Sequence, residues 1–170
     1  EPLTLKSLKS LAKKWTIKGV VVKGNRLAKL DALVAACPDL EKLELIDCDR
    51  ITSVDSLPSS LTTLALSHCH HVASVASLPS SLKDLDLIGC GGITSVDSLP
   101  SSLKSLLLWH CDHVTSVDSL PSSMTFLMLW DCKHITSVDS LPASLTRLKL
   151  RDCGHITSVD SLPSSLKSLL

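Results

Sequence analysis

The residues that could do chemistry are seven histidines, seven cysteines and a series of aspartates. His68-Cys69-His70-His71, with His110, His113, His134 and His155, suggests metal binding, since imidazole and thiolate are zinc ligands. Asp55, Asp97, Asp118, Asp139 and Asp160 supply carboxylates suited to acid–base work. Their spacing argues against both chemistries. Cys48, Cys69, Cys90, Cys111, Cys132 and Cys153 recur every 21 residues, while Cys37 stands apart. On the same period His71, His113, His134 and His155 fall in one column, and the aspartates in another. Zinc needs three or four ligands converging on a point, whereas side chains projected in parallel from a column converge poorly. An active site needs unlike groups held together, but here one carboxylate repeats at each level without a distinct partner. We therefore expect solvated turn histidines, aspartates that cap turn amides, no metal, no cofactor and no catalytic residues. The chain also lacks a glycine-rich phosphate loop, a nucleophile elbow and a metalloprotease helix motif.

The period identifies the elements that carry these residues, because repeats of 20 to 50 residues signal a solenoid. In Leu61-Thr-Thr-Leu64-Ala-Leu66-Ser-His-Cys69, Leu64 and Leu66 alternate as in a strand with one buried face, and Leu61 adds a third inward anchor. Leu78-Pro79 and its equivalents prevent a regular helix on the return path, since proline lacks the amide hydrogen and clashes with the preceding turn. Short turns, 3₁₀ or extended segments are expected there. Ile17 to Asn25 fits the same strand template, with Asn in the Cys position. Between Arg26 and Cys37, Leu27, Leu30, Leu33 and Val34 stand at helical spacing and Pro38 ends the run, so one outer helix is expected. Leu5, Leu8, Leu11, Ala12 and Trp15 make residues 1–16 a candidate amphipathic cap over the first strand. The expected organisation is a single domain: cap 1–16, a longer first repeat 17–39, six 21-residue repeats over 40–165 and a partial unit 166–170.

The pattern L-x-x-L-x-L-x-x-C over residues 17–170 resembles the leucine-rich repeat, with Cys where many members carry Asn. The stretch Cys37 to Thr52 is similar to the cysteine-containing repeats of F-box and related adaptors. The Leu-Pro-Ser-Ser-Leu joints are similar to the short repeats of bacterial effectors and some protists. The resemblance implies an α/β solenoid, a horseshoe with a parallel concave sheet, a mostly non-helical convex side and a helical amino-terminal region. It also implies that the cysteines turn inward where each strand ends, as a ladder bonded to neighbouring backbone. A thiol there behaves mainly as a small buried hydrophobe. Six near-equivalent sites offer no preferred disulfide pairing, so reduced thiols and a cytoplasmic, intracellular setting are expected.

Composition narrows the partners. Seventeen acidic and seventeen basic residues give no net charge, so neither nucleic acid nor an anionic membrane is called for. No run approaches the ~18 apolar residues of a membrane span, and Glu1-Pro-Leu-Thr-Leu-Lys does not read as a secretory leader.

Positions that stay constant from unit to unit serve the stacking, which leaves the varying, outward strand positions for binding. These run Lys42, Glu44, Ile46; Thr63, Ala65, Ser67; Asp84, Asp86, Ile88; Ser105, Leu107, Trp109; Phe126, Met128, Trp130; Arg147, Lys149, Arg151. The face is graded from acidic and mixed, through apolar and aromatic, to basic. The chain has three Trp, one Phe and no Tyr, yet two of the Trp and the Phe lie on adjacent outward rungs. Exposed apolar patches mark interaction sites, and Trp anchors are enriched in hot spots; the plainer alternative is that the two Trp simply stack on each other or are covered by a terminal segment. A protein or peptide is thus expected on the concave face, at Leu107, Trp109, Phe126, Met128 and Trp130. Asp84 and Asp86 would flank it on one side, and Arg147, Lys149 and Arg151 on the other. The alternative is a structural module forming homo-oligomers through the edge at Ser165 to Leu170, where no polar cap follows the leucines.

Overall fold

A computed structural model describes residues 5–12, 16–25, 27 and 29–170. Two short helices and eight strands follow in the order α1 (Leu5–Ala12), β1 (Gly19–Lys23), α2 (Asp31–Ala36), β2 (Lys42–Ile46), β3 (Thr63–Ser67), β4 (Asp84–Ile88), β5 (Ser105–Trp109), β6 (Phe126–Trp130), β7 (Arg147–Arg151) and β8 (Ser168–Leu169). The strands form one parallel sheet in sequence order, each pairing only with its neighbours in the chain. Register advances by one repeat per strand, as in Leu64↔Leu85↔Leu106↔Leu127↔Leu148. The result is a solenoid with the sheet on one side and turns on the other.

The core follows from the period of two within each strand and the period of 21 between them. In the repeat that contains β3, Leu61, Leu64, Leu66, Cys69, Val72, Val75 and Leu78 are all buried, and the next three repeats bury the equivalent set, with Met124 in place of one Leu and Ile93 and Ile135 in place of Val72, whereas the repeat of β7 buries only Leu145 and Leu148 fully. One continuous core thus runs from Leu30 to Leu148. The outer path is built from turns: the amide of Leu82 reaches back to the Pro79 carbonyl at 3.0 Å, and Leu61, Leu103, Met124, Leu145 and Leu166 repeat this three residues after their own prolines. The proline ring presets φ for such a turn.

Three features lie beyond the sequence reading. The first is the residue before each cysteine of the 21-residue series, Cys48 to Cys153. Asp47, His68, Gly89, His110, Asp131 and Asp152 all have φ between 51° and 61°, and Gly24 repeats the conformation before Asn25. Gly, Asp and His tolerate this left-handed region better than branched residues. The sharp exit lets the ladder continue for one more bond, as in His68 N–H to Ile88 O (2.7 Å) and Gly89 N–H to Trp109 O (2.7 Å).

The second is a serine ladder. Ser81, Ser102, Ser123, Ser144 and Ser165 donate to the carbonyls of Leu61, Leu82, Leu103, Met124 and Leu145, at 2.5–2.6 Å. The second serine of each Leu-Pro-x-Ser joint therefore ties its repeat to the preceding one.

The third corrects the expected role of the aspartate column. Ser95, Ser116, Ser137 and Ser158, not the aspartates, accept the turn amide two residues on. Each serine hydroxyl then donates to the carboxylate of Asp97, Asp118, Asp139 or Asp160. Ser74 accepts the amide of Ala76 in the repeat that has no aspartate, so the turn does not depend on the carboxylate.

At the amino-terminal end, β1 takes the strand template read from Ile17 to Asn25, and α2 supplies the outer helix, beginning at Asp31 and ending at Ala36, with Cys37 as its cap before Pro38. Leu33 and Ala36 join the core. Helix α1 approaches α2 and not β1, so its described part does not cover the first strand as anticipated. Leu11 stays 41% exposed, and Trp15 lies outside the described residues.

Candidate functional site

Each strand from β3 to β6 alternates half-buried and fully buried residues, with the half-buried ones on the open face of the sheet. Register sorts these into three columns. Asp84, Ser105, Phe126 and Arg147 stand in the first; Asp86, Leu107, Met128 and Lys149 in the second; Ile88, Trp109, Trp130 and Arg151 in the third. The structure thus brings all ten residues singled out in the sequence onto one face across four adjacent rungs.

The third column is a stack. The Trp109 and Trp130 rings lie 4.2 Å apart at 3° to each other, close to the ~4.8 Å between rungs. The Arg151 guanidinium covers the far face of Trp130 at 4.2 Å from its centroid. Trp130 Nε1–H donates to Asp152 Oδ2 (3.2 Å), which also lies 3.5 Å from Arg151 Nε and so clasps the rim of the stack. In the first column, Arg147 lies 4.7 Å over the Phe126 ring. Two consequences follow. Both faces of Trp130 are occupied, by Trp109 and Arg151, so Trp130 offers its edge to a ligand rather than an open ring face. The two arginines are held by cation–π contact, not swung freely in solvent.

Charge is graded along the second column of this surface, from Glu44 and Asp86 to Lys149, while Lys42 stands among the acidic rungs in the first column. Asp84, Asp86 and Glu44 gather toward β2–β4. Burial pushes the Asp86 carboxyl above its usual range, with Asp84 and Glu44 adding repulsion. At the other end Arg147 and Lys149 have no ion-pair partner among the described residues.

Beside the stack, a rim set missed by the sequence reading joins the strand exits. His110 Nδ1 lies 3.0 Å from Asp131 Oδ2, and Lys133 Nζ lies 3.6 Å from Asp131 Oδ1. The available signal was their place beside the cysteine that closes each strand.

The other candidates stay apart from this site. His71, His113, His134 and His155 are exposed in a row on the turns, and His71 Nδ1 lies 2.7 Å from the Asp49 carbonyl. Among the described residues no three His, Cys, Asp or Glu side chains converge to hold a metal ion. The cysteines are unpaired. Each of Cys69 to Cys153 contacts two carbonyls, one in the preceding rung and one in its own, as Cys111 Sγ does with Leu87 O (3.4 Å) and Trp109 O (3.6 Å). Burial pushes the Cys111 thiol up to about 12 and those of Cys48, Cys90 and Cys132 to about 11, the opposite of an activated nucleophile.

The FNIP Repeat family model matches residues 134–170. Across most of the chain, the fold is similar to a circular leucine-rich-repeat protein, CroV588 (TM-score 0.64, 25% identity, 78% of this chain and 20% of that one). It is similar also to YopM from Yersinia enterocolitica (0.60, 26%, 79% and 29%). The chain has the leucine-rich-repeat fold. An internalin from Listeria monocytogenes shares the fold over 99% of this chain and 50% of its own, at 19% identity and a TM-score of 0.57. This leucine-rich-repeat chain therefore spans a fifth to a half of those proteins' lengths. A search of curated proteins finds no match. Among the described residues no helix is long and apolar enough to cross a membrane.

Proposed function

We propose that this leucine-rich-repeat chain is a non-enzymatic interaction module that binds a protein or peptide on its concave, open face. Leu107, Trp109, Phe126, Met128 and Trp130 form the contact centre, with Asp84 and Asp86 on one flank and Arg147, Lys149 and Arg151 on the other. The observation that carries this reading is the gathering of the only Phe and two of the three Trp, all half-buried, on two adjacent rungs of one face. Packing does not require them there, because the repeats around β3 and β4 stack as well with Ala65, Ser67 and Asp86 at the outward positions. Aromatic anchors with a charged rim are the composition of binding hot spots. Repetition of like groups at every level supports the non-enzymatic part of the reading. Seven unpaired thiols fit a reducing compartment.

The test is affinity capture with the intact chain, identification of the captured partner, and calorimetry with that partner purified. Trp109→Ala/Trp130→Ala is expected to abolish binding while the circular-dichroism spectrum is retained. Undiminished affinity in the folded double variant would refute the reading.

A further inference from the structure

In the second column of the open face opposite charges are sorted to opposite ends, while in the first column Lys42 stands two rungs from Asp84. Down the second column, in register, run Glu44, Ala65, Asp86, Leu107, Met128 and Lys149. A face evolved only for solvation gains by placing unlike charges on neighbouring rungs, where they attract. Here an apolar belt two rungs wide separates them, and among the described residues no ion pair joins the acidic rungs to the basic one. The basic end is also pre-ordered, since Arg147 lies over Phe126 and Arg151 over Trp130. Such held guanidiniums lose less freedom on meeting a carboxylate than mobile side chains would.

We infer that the segment recognised by this face is a bipolar extended peptide, with a Lys or Arg over Asp84 and Asp86, apolar side chains over Leu107 and Met128, and a carboxylate at Arg147 and Lys149. The inference rests on the reading that the open face is the binding surface, and adds the chemistry of the occupant. The spacing follows from the rungs. Asp86 and Lys149 are three rungs apart, about 14 Å at ~4.8 Å per rung. An extended chain advances ~3.3 Å per residue and shows alternate side chains to one face. Opposite charges four residues apart, with an apolar residue midway, therefore span the belt. A second copy of this chain would also offer inverted charge order under a two-fold axis, and sedimentation distinguishes it from the peptide.

Fluorescence anisotropy with the full chain and labelled peptides of about nine residues tests this. One peptide carries Lys, Leu and Glu at positions i, i+2 and i+4, and its two analogues replace both charges by Glu or both by Lys. The bipolar peptide is expected to bind about tenfold more tightly than either analogue. Arg147→Glu/Lys149→Glu should move the preference to the all-Lys peptide. Equal binding of the three peptides, no binding, or a preference unmoved by the double variant would overturn the inference. Equal binding that is still lost in Trp109→Ala/Trp130→Ala would remove the bipolar occupant and leave the aromatic surface standing. Sedimentation showing a dimer dissociated by Arg147→Glu/Lys149→Glu would place a second copy on the face and exclude the peptide.

Discussion

Raising the pH is expected to unfold this protein well below the pH at which a chain of ordinary surface charges would fail. The cause lies in the cysteine ladder. Cys48, Cys90, Cys111 and Cys132 are fully buried, and burial raises their thiols from an ordinary value of 9 to about 11, with Cys111 at about 12. The unfolded chain releases these protons near pH 9, while the folded chain holds them until 11 or above. Between those limits the unfolded state binds fewer protons, so stability falls as pH rises; below 9 both states keep their thiols protonated and the contribution is flat. Each such thiol weakens the fold by about 1.4 kcal/mol per pH unit within the window. Four together remove about 5 kcal/mol by pH ~10, comparable with the whole stability of many domains. The chain has no tyrosine to titrate in this window. Urea unfolding followed by circular dichroism at pH 8, 9, 9.5 and 10 reads the slope. Cys111→Ser should reduce it by about 1.4 kcal/mol per pH unit, and Cys90→Ser/Cys111→Ser/Cys132→Ser by about three times as much, because serine keeps a donor for the carbonyls but does not ionise. A stability unchanged from pH 8 to 10, or a slope indifferent to these substitutions, would refute the buried-thiol argument.

Four further outcomes are expected from the repeat geometry. Ser123→Ala deletes the bond to the Leu103 carbonyl and should lower unfolding stability by about 1–2 kcal/mol, read from the urea midpoint. Asp131→Val puts a branched side chain at φ 51° and should cost about 1–2 kcal/mol, whereas Asp131→Gly should cost less at this backbone position. Gly92→Ala would set a Cβ 2.5 Å from His70 O and 2.6 Å from Val72 O, so a loss of about 1–3 kcal/mol is expected although His occupies the equivalent place in neighbouring repeats. Leu106→Ala empties a fully buried site at the middle of the core and should cost about 2–5 kcal/mol by chemical denaturation.

Much of the architecture is legible in the sequence because the repeat states it many times over. Leu64, Leu85, Leu106, Leu127 and Leu148 can only share one face if each strand advances by a full repeat, and that register is what places Trp109 beside Trp130. Features shared in geometry but not in residue type were harder to read. Asp47, His68, Gly89 and His110 look unrelated by chemistry, and only their common tolerance of positive φ unites them. The aspartate column drew attention to the carboxylate, whereas the recurrent Ser two residues earlier is the group within reach of the amide. Helical spacing in Leu5–Ala12 marks a helix but not the element it lies near, which is α2. The stacking of Arg151 on Trp130 also lay beyond the pattern, since column position gives adjacency and not side-chain conformation.

Side-chain footprinting of the complex with the captured partner tests the account most directly. Oxidation rates at Trp109, Met128 and Trp130 are predicted to fall on binding, while exposed outer-turn positions such as Val159 keep theirs. Protection confined to the outer turns, with the two tryptophans and Met128 unchanged, would contradict a binding surface on the open face.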